Sequence, residues 1–279
     1  VIWPGALTVL LAVAGAAQVP PRPPSALSIR PAVLRHFTAD EEALAHYLHL
    51  ERVILTKDGR RSERTVRVYY VNGRAVATEI ALGGKPLGPK GLAAQHRVAA
   101  QRAAQLALRP PPRPGMLEFQ GHDYPFAQLA QDFDYGPGKV VQWHGRTTWV
   151  YPAYPNPNAP HRSRAEDVLL GSEGSVWIDA RNLHLVRVKM HTFRPVKYFG
   201  GLLATVHAAS LDLQLEPVAP AVWLPRRIAF QVNATILLFK QLRESKIEAY
   251  WGYQLPARKA DRQSAGTIGL TSMRMHFAR

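Results

Sequence analysis

The residues whose types could support hydrolysis lie between positions 171 and 179. The stretch Gly171-Ser172-Glu173-Gly174-Ser175 holds two serines between glycines, and an acid, Asp179, follows. In the G-x-S-x-G nucleophile elbow the serine stands at the centre of the motif, on a turn that directly follows a strand. Both serines here are one place away from that centre, and no strand is predicted before them. The segment therefore does not fit a serine nucleophile.

Asp179 could act alone as a general acid or base. Such work usually needs a second titratable group with a contrasting pKa, and the nearest acid in the sequence is Glu173. An aspartate at the first position of a turn can instead accept hydrogen bonds from backbone amides two or three residues later. Asp179-Ala180-Arg181-Asn182 fits that use, with Asn182 in the left-handed conformation. We predict a turn former, not a catalyst.

The other candidates for chemistry also fail on spacing. His46 and His49 stand three apart, but no acidic or histidine partner follows at a metalloprotease-like spacing. Residues 83–91, GGKPLGPKG, lack the Gly-Lys-Ser/Thr ending of a phosphate loop. The chain has no cysteine, which excludes disulfides, thiolate metal sites and cysteine nucleophiles. We predict no catalytic residue, no metal site, no cofactor and no enzymatic activity.

Aromatic residues are a different kind of candidate, because many fall on or beside predicted strands. They would form an ordinary packed core, or they would line an apolar cavity enclosed by a curved sheet. The sequence does not separate these two cases. The candidate cavity-lining residues are Trp143, Trp149, Trp177, Phe193, Trp223, Phe230 and Phe239.

The first half of the chain predicts strands and two helices. Asn72-Gly73 is a strong hairpin turn, because both of its residues accept the positive φ that the turn needs. The alanine-rich stretch 90–108 has no internal breaker and predicts a long helix. Thr38 with Glu41 has the spacing of a capping box, which predicts a short helix over 39–47.

The second half predicts mainly strands. A hairpin turns at Asp179, residues 210–217 alternate between apolar and polar side chains, and two long strands follow up to about residue 254. The prolines of 151–161 predict a surface loop. With about nine or ten strands, the fold class is α+β: a strongly curved antiparallel sheet, or incomplete β-barrel, with one long and one short helix packed on it.

Composition divides the chain into regions. An apolar run followed by small residues predicts a signal peptide over 1–17, and 18–35 is a proline-rich linker. A single half-barrel domain over 36–255 and a basic, disordered tail over 256–279 complete the division. The net charge of +15 favours an anionic envelope surface as a partner. Export argues against nucleic acid.

Two stretches resemble known proteins. VYYVNGRAVATEIALGGKPL (68–87), followed by an alanine-rich helix, and GSVWIDARNLHLVRVK (174–189) with VWLPRRIAFQV (222–232) resemble a group of uncharacterised exported proteins of acidobacteria. They also resemble the wider superfamily of the lipoprotein carriers LolA and LolB. The resemblance covers about residues 45–255 and implies an unclosed antiparallel barrel, lidded by helices, whose apolar cavity shelters acyl chains in the periplasm.

The sequence thus supports two functions. The first is a non-catalytic periplasmic protein that binds a lipid, a lipoprotein acyl chain or another amphiphile. The second is an exported structural or interaction module with a filled core and a basic docking surface. A monomer is assumed in both cases. A cavity of several hundred cubic ångströms, the usual scale of a ligand site, would favour the first.

Overall fold

The computed structural model of the chain describes residues 22–119, 122–160 and 164–256. The predicted signal peptide and the predicted disordered tail, apart from its first residue, lie outside the described residues. Both therefore remain predictions.

The described residues form four α-helices, fifteen strands and one short 3₁₀ turn. The helices are α1 (Ala26–Leu44), α2 (Pro89–Ala107), α3 (Phe126–Gln131) and α4 (Arg164–Leu170), and the 3₁₀ turn is Phe199–Gly201. The strands are β1 (Leu48–Lys57), β2 (Arg60–Val71), β3 (Arg74–Leu82), β4 (Lys85–Pro86), β5 (Met116–Phe119), β6 (His122–Pro125), β7 (Phe133–Tyr135), β8 (Lys139–Trp143), β9 (Arg146–Pro155), β10 (Ser172–Asp179), β11 (Leu185–Thr192), β12 (Val196–Tyr198), β13 (Ala204–Ala219), β14 (Val222–Ile236) and β15 (Lys240–Gln254).

Thirteen of these strands form one antiparallel sheet that does not close. Its order is β4-β3-β2-β1-β15-β14-β13-β11-β10-β9-β7, with β12 on β13 and β8 on β9, while β5 and β6 pair separately. The predicted α+β class with an open antiparallel sheet is confirmed. The first strand pairs with the last, β1 with β15, so the two halves of the chain share one sheet.

The tight turns follow local backbone preferences. Asn72 and Gly73 join β2 to β3 with φ of 51° and 70°, the left-handed values that this dipeptide accepts most easily. Gly174 allows β10 to approach β11 closely, because a Cβ at this position would overlap the backbone carbonyl of Lys189. This glycine is the first residue of the stretch GSVWIDARNLHLVRVK (174–189).

The first helix corrects one prediction. We expected a helix over 39–47 and a linker over 18–35, but α1 begins at Ala26 and ends at Leu44. Ser25 caps it, since the Ser25 side chain accepts a hydrogen bond from the backbone N–H of Ser28 (3.2 Å). Pro31 lies inside the helix, where it removes a backbone donor. The helix still forms because burial of its apolar face outweighs that loss.

The proline-rich stretch 151–161 corrects a second prediction. Its first five residues are not a loop, because β9 continues to Pro155 and pairs with β10 and β7. Pro152 needs no amide there, and its carbonyl accepts a hydrogen bond from the N–H of Gly136 (2.9 Å). Proline is tolerated in a strand where its missing donor is not required.

The two long helices lie on opposite faces of the sheet. We call the face that carries Ile178, Leu213 and Ile228 the inner face, and α1 packs on it. The outer face of β2 and β3 is covered by α2 through Ala99 and Leu106. Of the two long helices, α1 is therefore the one that lies over the inner face of β10, β11 and β13, and the short helices α3 and α4 add residues beside it. Among the described residues, no helix is long and apolar enough to cross a membrane.

Candidate functional site

An apolar cavity of about 180 Å³ lies between α1 and the inner face of the sheet. Most of its lining side chains are aliphatic or aromatic and come from α1, α3 and five neighbouring strands, with one residue from α4. The lining residues are Ala26, Ile29, Arg30, Val33, Leu34, Phe37, Phe126, Leu129, Ala130, Phe133, Tyr135, Tyr151, Ala153, Leu169, Val176, Ile178, Leu185, Val188, Met190, Leu211 and Leu213.

Strand register builds the floor of this cavity. Val176 of β10 lies opposite Val188 of β11, which lies opposite Leu213 of β13. Residues that face each other in an antiparallel ladder point to the same side of the sheet. Because every second side chain of a strand points to the same face, these three strands together form a continuous apolar surface.

The helix α1 forms the roof. Ile29, Val33 and Phe37 are buried and stand four residues apart, which places them on one face of a helix. Phe37 also packs against Phe126 of α3, with ring centroids 4.0 Å apart. The same helical face therefore both anchors α1 and closes the cavity.

Arg30 is the only charged residue among those that line the cavity. In the described part of the chain, no carboxylate lies within salt-bridge distance of its guanidinium. Burial raises the pKa of Tyr135 to about 12, and the nearby charge of Arg30 opposes this effect. Arg30 thus lies close enough to the cavity wall to act on a polar group there.

A buried polar contact fixes the C-terminal half of α1 to the sheet. The carboxylate of Asp40 accepts a hydrogen bond from the backbone N–H of Trp223 (2.9 Å), and its second oxygen lies 2.8 Å from Nδ1 of His184. Asp40 is 3% exposed and His184 is 1% exposed, and the His184 ring stacks on Trp223. We call these three residues the α1 latch. Any outward movement of α1 near Asp40 must break both contacts.

None of the seven aromatic residues predicted to line a cavity lines this one. Trp149 and Trp223 are buried in the core, while Trp143 and Trp177 contact each other and the guanidinium of Arg187. Phe230 lies on the inner face but beyond the cavity, opposite Leu211. Phe193 and Phe239 are 47% and 81% exposed. The prediction is wrong because these seven rings lie elsewhere on the sheet or in turns, whereas other aromatic residues line the cavity beside the aliphatic ones: Phe37, Phe126, Phe133, Tyr135 and Tyr151.

The aliphatic lining could have been found from strand alternation. Val176 and Ile178, and likewise Leu211 and Leu213, alternate with polar or outward residues. That pattern marks one apolar face of each strand. It does not reveal a gap above that face, because the gap depends on where α1 docks.

The structure places Asp179 in a turn. Its Oδ1 accepts hydrogen bonds from the N–H groups of Arg181 (3.0 Å) and Asn182 (3.1 Å), and its Oδ2 lies 2.7 Å from Nε of Arg146. The residue with positive φ in this turn is Leu183 (61°), whereas we expected Asn182. Asn182 instead accepts a hydrogen bond from the N–H of His184 (3.3 Å), so it fixes the turn through its side chain.

Within the described residues, no group of three or more histidine, aspartate or glutamate side chains could hold a metal ion. His46 lies after the end of α1 and is exposed, whereas His49 is buried on β1. The two therefore lie on different segments, one after α1 and one on β1.

Comparisons with known proteins give only distant structural similarity. No family model and no curated protein matches the chain. A LolA superfamily protein from Nitrosomonas europaea is similar in structure, with 10% identity over 85% of this chain and 96% of that one and a TM-score of 0.34. A DUF1329 family protein from Desulfovibrio piger ATCC 29098 has 9% identity over 82% and 92% of the two chains, with a TM-score of 0.32.

A chain of the Pseudomonas aeruginosa MucA/MucB complex has 9% identity over 79% of this chain and 93% of that one, with a TM-score of 0.26. LolA superfamily members are thus among the structural neighbours, as the resemblance in sequence led us to expect. The identities and TM-scores are low. The function proposed below therefore rests on the geometry of this chain.

Proposed function

We propose that this chain is an exported, periplasmic, non-catalytic protein that binds the apolar part of an amphiphile, such as a lipid or a lipoprotein acyl chain. The observation that carries the proposal is the apolar cavity between α1 and the inner face of β10, β11 and β13. Concave sites lined by apolar side chains with a few polar groups are the usual form of a small-molecule site.

The cavity, at about 180 Å³, is smaller than the several hundred cubic ångströms usual for a ligand site, and this volume limits what it holds. Its 180 Å³ equals the liquid volume of about six water molecules at ~30 Å³ each, which is room for about six groups of methylene size. Burial of six methylenes contributes about 5 kcal/mol at ~0.8 kcal/mol each. That free energy corresponds to a dissociation constant of a few tenths of a millimolar. The cavity as it stands therefore fits a short chain segment, and a longer chain requires α1 to move.

A cavity-filling substitution tests this function. Val33→Phe places a ring in the cavity from α1, while Val98→Phe makes the same change on α2, where the side chain is 60% exposed. We expect linear alcohols of about six to ten carbons to bind both the wild type and the Val98→Phe control in calorimetric titrations. Val33→Phe should bind them at least about tenfold more weakly, because the ring occupies the volume.

Circular dichroism and thermal melts identify a Val33→Phe variant that has lost its fold. If that occurs, Met190→Phe fills the same cavity from β11 instead. Equal binding by the wild type and by folded cavity-filled variants would overturn the proposal, as would no binding by the wild type.

The alternative function is an exported interaction module with a basic docking surface. The turn between β14 and β15 favours it, because Leu237, Leu238 and Phe239 there are 51%, 64% and 81% exposed, and exposed apolar groups of this kind often mark contact sites. This function predicts that a pull-down from an envelope extract retains a partner through that turn while alcohols do not bind. The titration therefore separates the two functions.

A further inference from the structure

A second group of side chains lies on the inner face of the sheet, next to the cavity. Its members come from β1, β2 and β15, and none of them lines the cavity. We call this group the tyrosine–carboxylate cluster; it comprises His49, Glu51, Tyr70, Glu248, Tyr250 and Tyr253.

Three tyrosine rings surround His49. The ring centroid of His49 lies 6.1 Å from that of Tyr70, 5.8 Å from Tyr250 and 5.2 Å from Tyr253. The hydroxyl of Tyr253 donates to the backbone carbonyl of Pro225, and that of Tyr250 donates to Glu248 (2.9 Å). These hydrogen bonds hold the rings in place, so several aromatic faces converge on one region.

His49 is itself unsatisfied. It is 3% exposed, and in the described part of the chain its Nδ1 has no hydrogen-bond partner. Burial lowers the pKa of His49 to about 4, with the backbone of Tyr47 opposing this only in part, so the ring is neutral at pH 7. A buried polar nitrogen without a partner costs about 1–3 kcal/mol. A polar ligand in the cluster would recover that cost.

Two cations, Lys246 and Arg64, act electrostatically on the carboxylates of the cluster. Lys246 pairs with Glu248, whereas no cation within the described residues lies at salt-bridge distance from Glu51. Burial, and next the charge of Glu248, raise the pKa of Glu51 to about 7. The side chain of Glu248 is 15% exposed, so the cluster is mostly shielded from water but can be reached from solvent. Glu51 has no salt-bridge partner among the described residues, so a positive group placed beside it would be the first to pair with it directly.

We propose that the tyrosine–carboxylate cluster binds the ammonium headgroup of an amphiphile whose apolar chain enters the cavity. A cation over tyrosine faces is attracted by the ring quadrupoles, and this attraction strengthens where water is excluded. Glu51 provides the counter-charge. This inference rests on the proposed function, because it assigns a headgroup to the same ligand.

The register of the sheet makes one ligand for both sites feasible. Leu213, which lines the cavity, lies opposite Ile228 on β14, and Ile228 lies opposite Glu248 on β15. Neighbouring strands are ~4.8 Å apart, so two strand spacings are about 10 Å. Tyr250 also packs against the core cluster that contains Leu213 and Ile228. The inner face is therefore continuous from the cavity to the carboxylates.

Three ligands with the same ten-carbon chain test the headgroup: decylammonium, whose N–H groups can also donate to His49, decanol and decyl sulfate. Titration below their aggregation concentrations should show the ammonium binding about tenfold more tightly than the alcohol, a ratio that corresponds to ~1.4 kcal/mol. The sulfate should bind no better than the alcohol. Glu51→Gln should abolish the preference for ammonium and leave alcohol binding unchanged.

Glu173→Gln is the matched control, since Glu173 is a partly exposed carboxylate on β10 outside both the cluster and the cavity. Alcohol binding without a preference for ammonium would overturn the inference and leave the proposed function intact. Failure of all three ligands would overturn the proposed function instead. A preference for ammonium that persists in Glu51→Gln, or one that is lost equally in the Glu173→Gln control, would also overturn the inference.

Discussion

At the scale of single residues, folding removes several titratable groups from water without giving each a compensating charge. Burial raises the pKa of Glu41 to about 8, although the N–H of Gly115 donates to its Oε2 (3.1 Å). Burial likewise raises the pKa of Glu51 to about 7 and lowers that of His49 to about 4. These residues make the free energy of unfolding depend on pH.

The direction of that dependence follows from which state binds more protons. Between about pH 4.5 and 7–8 the folded state holds protons on Glu41 and Glu51 that the unfolded state releases, so rising pH destabilises the fold. Below pH 6.5 His49 acts in the opposite sense, because its unfolded form takes up a proton and its folded form does not. Above pH 6.5 only the carboxyl effect remains.

We therefore expect Tm to fall as pH rises from 6.5 to about 8. The double variant Glu41→Gln, Glu51→Gln should flatten this slope, because neither amide titrates. Asp134→Asn, Glu173→Gln is the control, since Asp134 is exposed on β7 and Glu173 is partly exposed. Scanning calorimetry across this pH range measures the slope, and equal slopes in the wild type and the double glutamine variant would refute the assignment.

Asp179 is of a residue type that can act in catalysis, but in this chain its contacts are structural. It is 1% exposed, its two oxygens contact two backbone amides and Arg146, and it lies apart from the cavity lining. Its environment is that of a turn former.

At the scale of elements, α1 combines two kinds of contact with the sheet. Its apolar face covers the cavity, and Asp40 near its C-terminal end makes the α1 latch with Trp223 and His184. The apolar contacts are non-directional, whereas the latch fixes the position of the helix. Entry of a long alkyl chain requires the apolar contacts of α1 with the sheet to break, and the α1 latch limits how far α1 moves.

We expect Asp40→Asn to loosen α1 while the sheet keeps its protection. The amide keeps one oxygen for the Trp223 N–H but places an NH2 donor where the second oxygen faced Nδ1 of His184, and loss of a hydrogen bond to a charged group typically costs about 1.5–3 kcal/mol. Hydrogen exchange followed by mass spectrometry should show faster exchange in residues 26–44 and little change in β13 and β14. The exposed neighbour Glu42→Gln is the control. Unchanged exchange in α1 would show that the latch does not hold it.

Part of this architecture can be predicted from short stretches of sequence. The Asn72-Gly73 turn, the alanine-rich α2 and the alternation of β13 follow from local preferences, and each agrees with the structure. The start of α1 does not follow from local preferences. Pro31 and its neighbours favour an extended chain locally, and only packing on the sheet offsets that preference. The α1 latch joins residues 144 and 183 positions apart, a distance at which no local pattern carries information.

At the scale of the whole molecule, the cavity and the tyrosine–carboxylate cluster lie on one face of one sheet. The pairing of β1 with β15 brings the cluster together from both ends of the domain. A carrier for amphiphiles needs an apolar and a polar region within the length of one ligand, and this sheet places them about two strands apart.

The most direct test of the central claim is to locate a bound alkyl chain by photo-crosslinking. Decanol with a diazirine within its chain is bound, irradiated and mapped by peptide mass spectrometry, with Val33→Phe and Val98→Phe treated in parallel. The cavity predicts labelling of residues 26–37 and of β11 and β13, lost in Val33→Phe and kept in Val98→Phe. Labelling centred on the exposed 237–239 turn or on α2, unchanged by Val33→Phe, would contradict it.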